Sequence, residues 1–225
     1  MRRDGLPWLL LVACMATLAL PLPLPLRAQP ALVVMFRHRN KDAPAAANAT
    51  PNYNLSFKGL ELALQLARLV PACLQQGRPL RLVSYGFDPE SGKNARSYQT
   101  LMPLAVASKA NIHLYPNAPS DSTSIGRQLR SDPGLTGSVL VIAWEHQHLP
   151  LLASGLGWAH MPVVDDDDFD SIWLLHYGRE QKAPAVVVRS QLMLQTKRCV
   201  TALNQSNDPM QRLLQRMSAA IELNR

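Results

Sequence analysis

Apolar positions along the chain fall into short continuous runs and into longer stretches of helical spacing. Leu32 to Phe36 is continuous, β-branched and aromatic, the pattern of a strand buried on both faces. Ser138 to Trp144 repeats that pattern. Arg81–Ser84, Asn111–Tyr115, Ser171–Tyr177 and Ala185–Arg189 are further strand candidates, the last two as antiparallel hairpin partners. Between the strands, Leu62, Leu66 and Leu69 recur at helical spacing behind Ser56, a residue type that caps helix N-termini. Pro71 and Gly77 are expected to close that helix. Asn94–Ser108 predicts a second helix, which Pro103 should bend or split. Thr123–Arg130 and Leu149–Ser154 predict short helices, the second stopped by Gly155-Leu156-Gly157. Met210–Leu223 predicts a final amphipathic helix. No internal repeat is visible. Strands alternating with helices predict a three-layer α/β/α sandwich with a mostly parallel central sheet. The domain is expected over residues 29–195, with a helical extension over 196–225 packed on it.

The polar residues that interrupt these runs carry the chemistry. The first strand ends in Arg37-His38-Arg39, and the run through Trp144 ends in Glu145-His146-Gln147-His148. The loop Tyr85–Lys93 leads to Arg96 in the first turn of the second helix. In an open parallel sheet such strand ends lie on one edge, where ligands bind. The loops Asn40–Asn54, Tyr85–Lys93 and Pro116–Ser124 would border that edge and set specificity. Asp165 to Asp168 with Asp170 reads as a solvated acidic turn.

Composition narrows the class. Of 225 residues, 47% are hydrophobic and 17% charged, a globular balance. Of the net charge of +7, Arg2, Arg3 and Arg27 against Asp4 supply two, and the remainder favours anionic ligands or surfaces. Lys and Arg are scattered without aromatic interleaving, which argues against nucleic acid. Arg2 and Arg3 precede an apolar stretch from Leu6 to Leu24, and Arg27-Ala28 offers a small residue for cleavage. This is the pattern of an export signal over residues 1–28, giving a secreted or periplasmic protein. Pro21, Pro23 and Pro25 argue against a spanning helix. The alternative is a lipoprotein anchored through Cys14, which follows Leu11-Val12-Ala13, and only then is membrane contact expected. Cys73 and Cys199 remain after cleavage and permit one disulfide.

Two arginines and two histidines converging at strand ends suit a phosphoryl group. Arg binds phosphate oxygens in pairs. A neutral His can attack phosphorus and form a covalent intermediate. The order of these motifs resembles the histidine phosphatase superfamily, the phosphoglycerate-mutase-like fold. Arg37-His38-Arg39 stands where that family has Arg-His-Gly. Leu55-Ser56-Phe57-Lys58-Gly59 matches its Leu-Thr-x-x-Gly helix opening, Arg96-Ser97-Tyr98-Gln99-Thr100 its Arg-x-x-Gln-Thr, and Val141–His146 its late strand ending in His. The resemblance spans residues 31–190. It implies a phosphoric monoester hydrolase with His38 as the phosphorylated nucleophile and Arg37, Arg96 and His146 around the phosphate. It also implies no cofactor and no metal. Arg39, in place of glycine, is an added candidate for substrate binding. The expected partner is a phosphorylated small molecule; no protein partner is inferred.

The proton donor is open. The segment Leu101–Arg130 holds no Glu, and Gln147 stands where one branch of the family has Asp. Glu145 is the first candidate, although adjacent strand residues point to opposite faces; Asp121 and Asp42 follow. Substrates with good leaving groups, such as phosphohistidine or anhydrides, need such an acid least. Two other readings remain: a metal site on His146-x-His148, and a catalytically silent protein that binds phosphate in the same pocket.

Overall fold

The computed structural model describes residues 28–41, 52–116, 119–178, 182–191, 194 and 209–223. Six strands form one sheet in the order β3-β2-β4-β1-β5-β6. They are β1 (Leu32–Arg37), β2 (Leu80–Tyr85), β3 (Ile112–Tyr115), β4 (Val139–Trp144), β5 (Ser171–His176) and β6 (Ala185–Ser190). β3, β2, β4 and β1 run parallel, whereas β5 pairs antiparallel with both β1 and β6. The predicted layered sheet and the hairpin pairing are both present.

Period-two alternation along the central strands sends residues to opposite faces. Val34, Phe36, Val141, Ala143 and Leu174 face one core, closed by α1 (Phe57–Leu69) and α2 (Ala95–Ser108). Met35, Ile142, Trp144 and Leu175 face the other, closed by α3 (Ser122–Ser131) and α4 (Leu149–Leu156). β1 and β4 are buried along their whole length, which explains their uninterrupted apolar sequence. The last helix, α5 (Pro209–Leu223), lies against α1 and buries Leu214 in the first core.

Two helix expectations are met in part. α1 ends at Leu69, just ahead of Pro71, but the chain stays helical for another turn. Pro71 sits near the start of that wide π-helical turn, Val70–Gln75, where a missing N–H costs little. The chain leaves through left-handed Gln76 and Gly77. α2 runs through Pro103 without a break. Leu101 and Leu104 on either side are fully buried, and such burial offsets the roughly 3 kcal/mol that an interior proline costs. Cys73 packs half-buried against the first core, but Cys199 and the expected disulfide lie outside the described residues. So do residues 1–27 and Asp42. Among the described residues no helix is long and apolar enough to cross a membrane.

α3 and α4 touch backbone to backbone. A Cβ on Gly155 would strike the carbonyl of Thr123 and the Cα of Gly126. Neither neighbour is a side-chain end that can swing away. Gly155→Ala should therefore destabilise the fold by about 1–3 kcal/mol. Denaturant unfolding checks this, and an unchanged midpoint would show that the two helices can separate freely.

Candidate active site

The carboxyl ends of β1 and β4 lie side by side, because the His38 N–H donates to the Trp144 carbonyl just beyond the ladder. That bond places Arg37 and His38 against Glu145 and His146. A cavity of about 560 Å³ opens there, lined by Arg37, His38, Arg96, Glu145, His146 and Asp166, with Lys41, Gln147, Asp167 and Phe169 completing the wall.

The sequence motifs hold this edge together. The Ser56 hydroxyl donates to the Asn40 carbonyl and accepts the Gly59 N–H, capping α1. The Asn40 carbonyl lies where a Cβ of residue 59 would be, so only glycine lets α1 sit this close to the turn after His38. On α2, the Thr100 hydroxyl accepts the Arg39 N–H at 3.1 Å and donates to the Arg96 carbonyl at 2.7 Å. Gln99 accepts the Leu55 N–H and donates to the Asn54 side chain. Arg96 is thus presented to the cavity by a turn of helix tied to both neighbouring loops.

His38 is buried, and its Nδ1 lies 3.0 Å from the Arg39 carbonyl. A carbonyl only accepts, so Nδ1 carries the proton and Nε2 keeps a lone pair. Burial, with Arg96, Arg37 and His146 nearby, pushes the His38 pKa down to about 3; the bond to the Arg39 carbonyl opposes this. The ring is therefore neutral through the whole mildly acidic range. Its edge meets His146, with ring centroids 5.9 Å apart.

That depression has a consequence for stability. The unfolded chain takes a proton on His38 near the ordinary 6.5, and the folded chain only near 3. Between these values the unfolded state binds more protons, so His38 makes the fold less stable as pH falls from 6.5 toward 3. Thermal melts of wild type and His38→Asn from neutral pH downward should diverge, with wild type losing more. Parallel curves would mean that His38 is freely protonated in the fold.

Arg37 is buried, donates to the carbonyls of Asp165 and Asp166 at 2.8 and 2.6 Å, and stacks over Phe169 at 4.0 Å. Burial lowers the pKa of both Arg37 and Arg96. His146 stands between two carboxylates. Its Nδ1 is 2.9 Å from Glu145 Oε1, and its Nε2 is 2.8 Å from Asp166 Oδ1. Glu145 faces the cavity because β4 has already ended. It caps the short turn His146–His148 and accepts the Gln147 N–H at 3.1 Å. The alternation that counted against Glu145 does not extend to it.

Arg39 is the main correction. It is fully buried and is not among the residues lining the cavity. Its guanidinium bonds the Phe169 carbonyl and lies over the Phe36 ring, with Asp170 and Asp168 nearby. Burial pushes its pKa down to about 10, so it remains charged at neutral pH. The backbone bond to Thr100 turns the residue away from the strand edge, into the fold. Asp121, ahead of α3 and near Tyr85, also lies outside the cavity wall. His148 stacks flat on Tyr85, with centroids 5.6 Å apart at 7°, so His146-x-His148 is not a ligand pair.

The acidic turn is what sequence reasoning missed. Asp166 and Asp167 belong to the cavity wall, and the turn's backbone holds Arg37. The signal was its place immediately before β5. Because β5 is antiparallel to β1, residues entering β5 arrive at the end where β1 leaves.

No family model matches this chain, and no curated protein matches it. Solved structures similar to it include three of low sequence identity. The protein histidine phosphatase SixA complexed with tungstate is 16% identical, with a TM-score of 0.48, covering 73% of this chain and 99% of that one. The putative phosphohistidine phosphatase SixA from Agrobacterium tumefaciens is 16% identical, with a TM-score of 0.43, over 72% and 99% of the two chains. Mycobacterial hydrolase 2 is 11% identical, with a TM-score of 0.43, over 80% and 99%.

Proposed function

We propose that the protein is an exported phosphatase that hydrolyses a phosphomonoester through a phosphohistidine on His38. One observation carries the reading. His38 is held by the Arg39 carbonyl so that its Nε2 lone pair is free, beside Arg37, Arg96 and His146 in one cavity. Nε2 attacks phosphorus as the bond to the leaving group breaks. Arg37, Arg96 and His146 take the growing charge on the phosphoryl oxygens. Water then attacks the phosphohistidine, releasing phosphate and restoring His38.

Leaving-group chemistry sharpens the reading. One oxygen of Glu145 already accepts the Gln147 N–H, and the other lies 2.9 Å from His146 Nδ1. Asp166 is the other carboxylate against His146. With Gln147 standing where one branch of the resembled family has Asp, the site favours substrates whose leaving group departs without a strong donor. Phosphohistidine and acyl or aryl phosphates meet that condition; simple alkyl phosphates do not. Export rests on the basic, apolar and small-residue pattern of residues 1–28.

Turnover of para-nitrophenyl phosphate, phosphohistidine and glycerol phosphate by the purified chain tests the proposal. Hydrolysis of the first two, with glycerol phosphate far slower, is the expected order. Vanadate binding with no turnover of any would instead show a silent phosphate-binding protein.

A further inference from the structure

We propose that the same cavity takes a zinc-class divalent cation on His38, Glu145 and His146, and that this ion and a phosphoryl group exclude one another. The ligand atoms of these three side chains all lie within 4.8 Å of one another. Two imidazoles and one carboxylate form a donor set suited to Zn²⁺, with a position left for water. The set is poorly suited to Mg²⁺, which prefers oxygen ligands alone. His38 carries the support that a metal-binding ring needs. Its Nδ1 is fixed on the Arg39 carbonyl, which aims Nε2 at the ligand.

Charge does not forbid a cation here. The wall carries Arg37, Lys41 and Arg96, but also Glu145, Asp166 and Asp167, three of each sign. Arg37 is moreover turned toward the carbonyls of Asp165 and Asp166.

The exclusion follows from electron count. Nε2 of His38 has one lone pair. A coordinate bond to the metal uses it, so a metal-bound His38 cannot attack phosphorus. A phosphoryl group seated on that nitrogen leaves no lone pair for the metal. Zinc binding is independent of the phosphatase reading; only the accompanying loss of turnover rests on it.

The test is calorimetric titration of the chelator-treated full chain with Zn²⁺, then with Mg²⁺. One Zn²⁺ site with a dissociation constant of about 10 μM or tighter is expected, and no Mg²⁺ binding. Saturating vanadate should weaken Zn²⁺ binding at least about tenfold, a comparison that needs no variant. Glu145→Gln should weaken it similarly while its melting temperature shows an intact fold. No Zn²⁺ binding, or binding indifferent to vanadate and to Glu145→Gln, overturns the site. Turnover of para-nitrophenyl phosphate separates the two ideas. Metal-free turnover untouched by Zn²⁺ sinks the cation site and leaves the phosphatase. Zn²⁺ binding that competes with vanadate, with no turnover under any condition, keeps the site and sinks the phosphatase. Turnover that requires added Zn²⁺ overturns the mutual exclusion.

Discussion

On the proposed phosphohistidine route, His38→Ala should lower turnover of para-nitrophenyl phosphate at least about 10⁴-fold, because it removes the atom proposed to attack. The loss should fall on kcat. Arg37, Arg96 and His146 still line the cavity after the change, so vanadate should remain bound, weakened but not lost. A rapid alkaline quench of wild type should trap a phosphoryl group on His38, and none in the variant. The pH profile adds a second check. With His38 pushed down to about 3, protonation of the nucleophile should not limit turnover at any pH above about 4, where an exposed histidine would already be silent. A wild-type rate that falls as pH drops through 6.5, or a variant that keeps its turnover, would assign the attack to another group.

The layered sheet and the convergence of Arg37, His38, Arg96 and His146 were legible from the chain alone. Both rest on strong local signals. Strands buried on two faces leave unbroken apolar runs, and their polar ends mark the carboxyl edge. Ser56, Gly59, Gln99 and Thr100 sit at fixed offsets, and each has a specific bond or close approach that explains its identity. The helix ends were less legible. Pro71 and Pro103 both signal breaks by their own chemistry; α1 does stop just ahead of Pro71, whereas α2 continues through Pro103 between the buried Leu101 and Leu104.

The acidic turn was illegible for a different reason. Composition says that a run of Asp is solvated, and Asp166 is indeed largely exposed. What recruits the turn is the direction of β5 against β1, a long-range fact that local pattern does not carry. The same pairing brings Asp168, Phe169 and Asp170 toward Arg37 and Arg39. One stretch therefore serves two arginines, one at the cavity and one in the interior.

That division predicts opposite phenotypes for neighbouring residues. Arg39→Ala should destabilise the fold by about 2–5 kcal/mol, the usual cost of emptying the site of a large, fully buried side chain. It would leave the Phe169 carbonyl without its donor. The same change should leave the Michaelis constant of any protein that folds nearly untouched, since Arg39 does not reach the cavity. Total stability of small domains is only about 5–15 kcal/mol, so the alanine variant stands close to unfolding. Arg39→Met keeps much of the volume, removes the cost of burying a charge, and should fold. Urea unfolding of Arg39→Met should show a smaller loss than alanine, with steady-state constants within about twofold of wild type. If instead Arg39→Met raised the Michaelis constant about tenfold or more with an unchanged midpoint, Arg39 would be contacting substrate. The interior position of its guanidinium would then be an arrangement that substrate displaces.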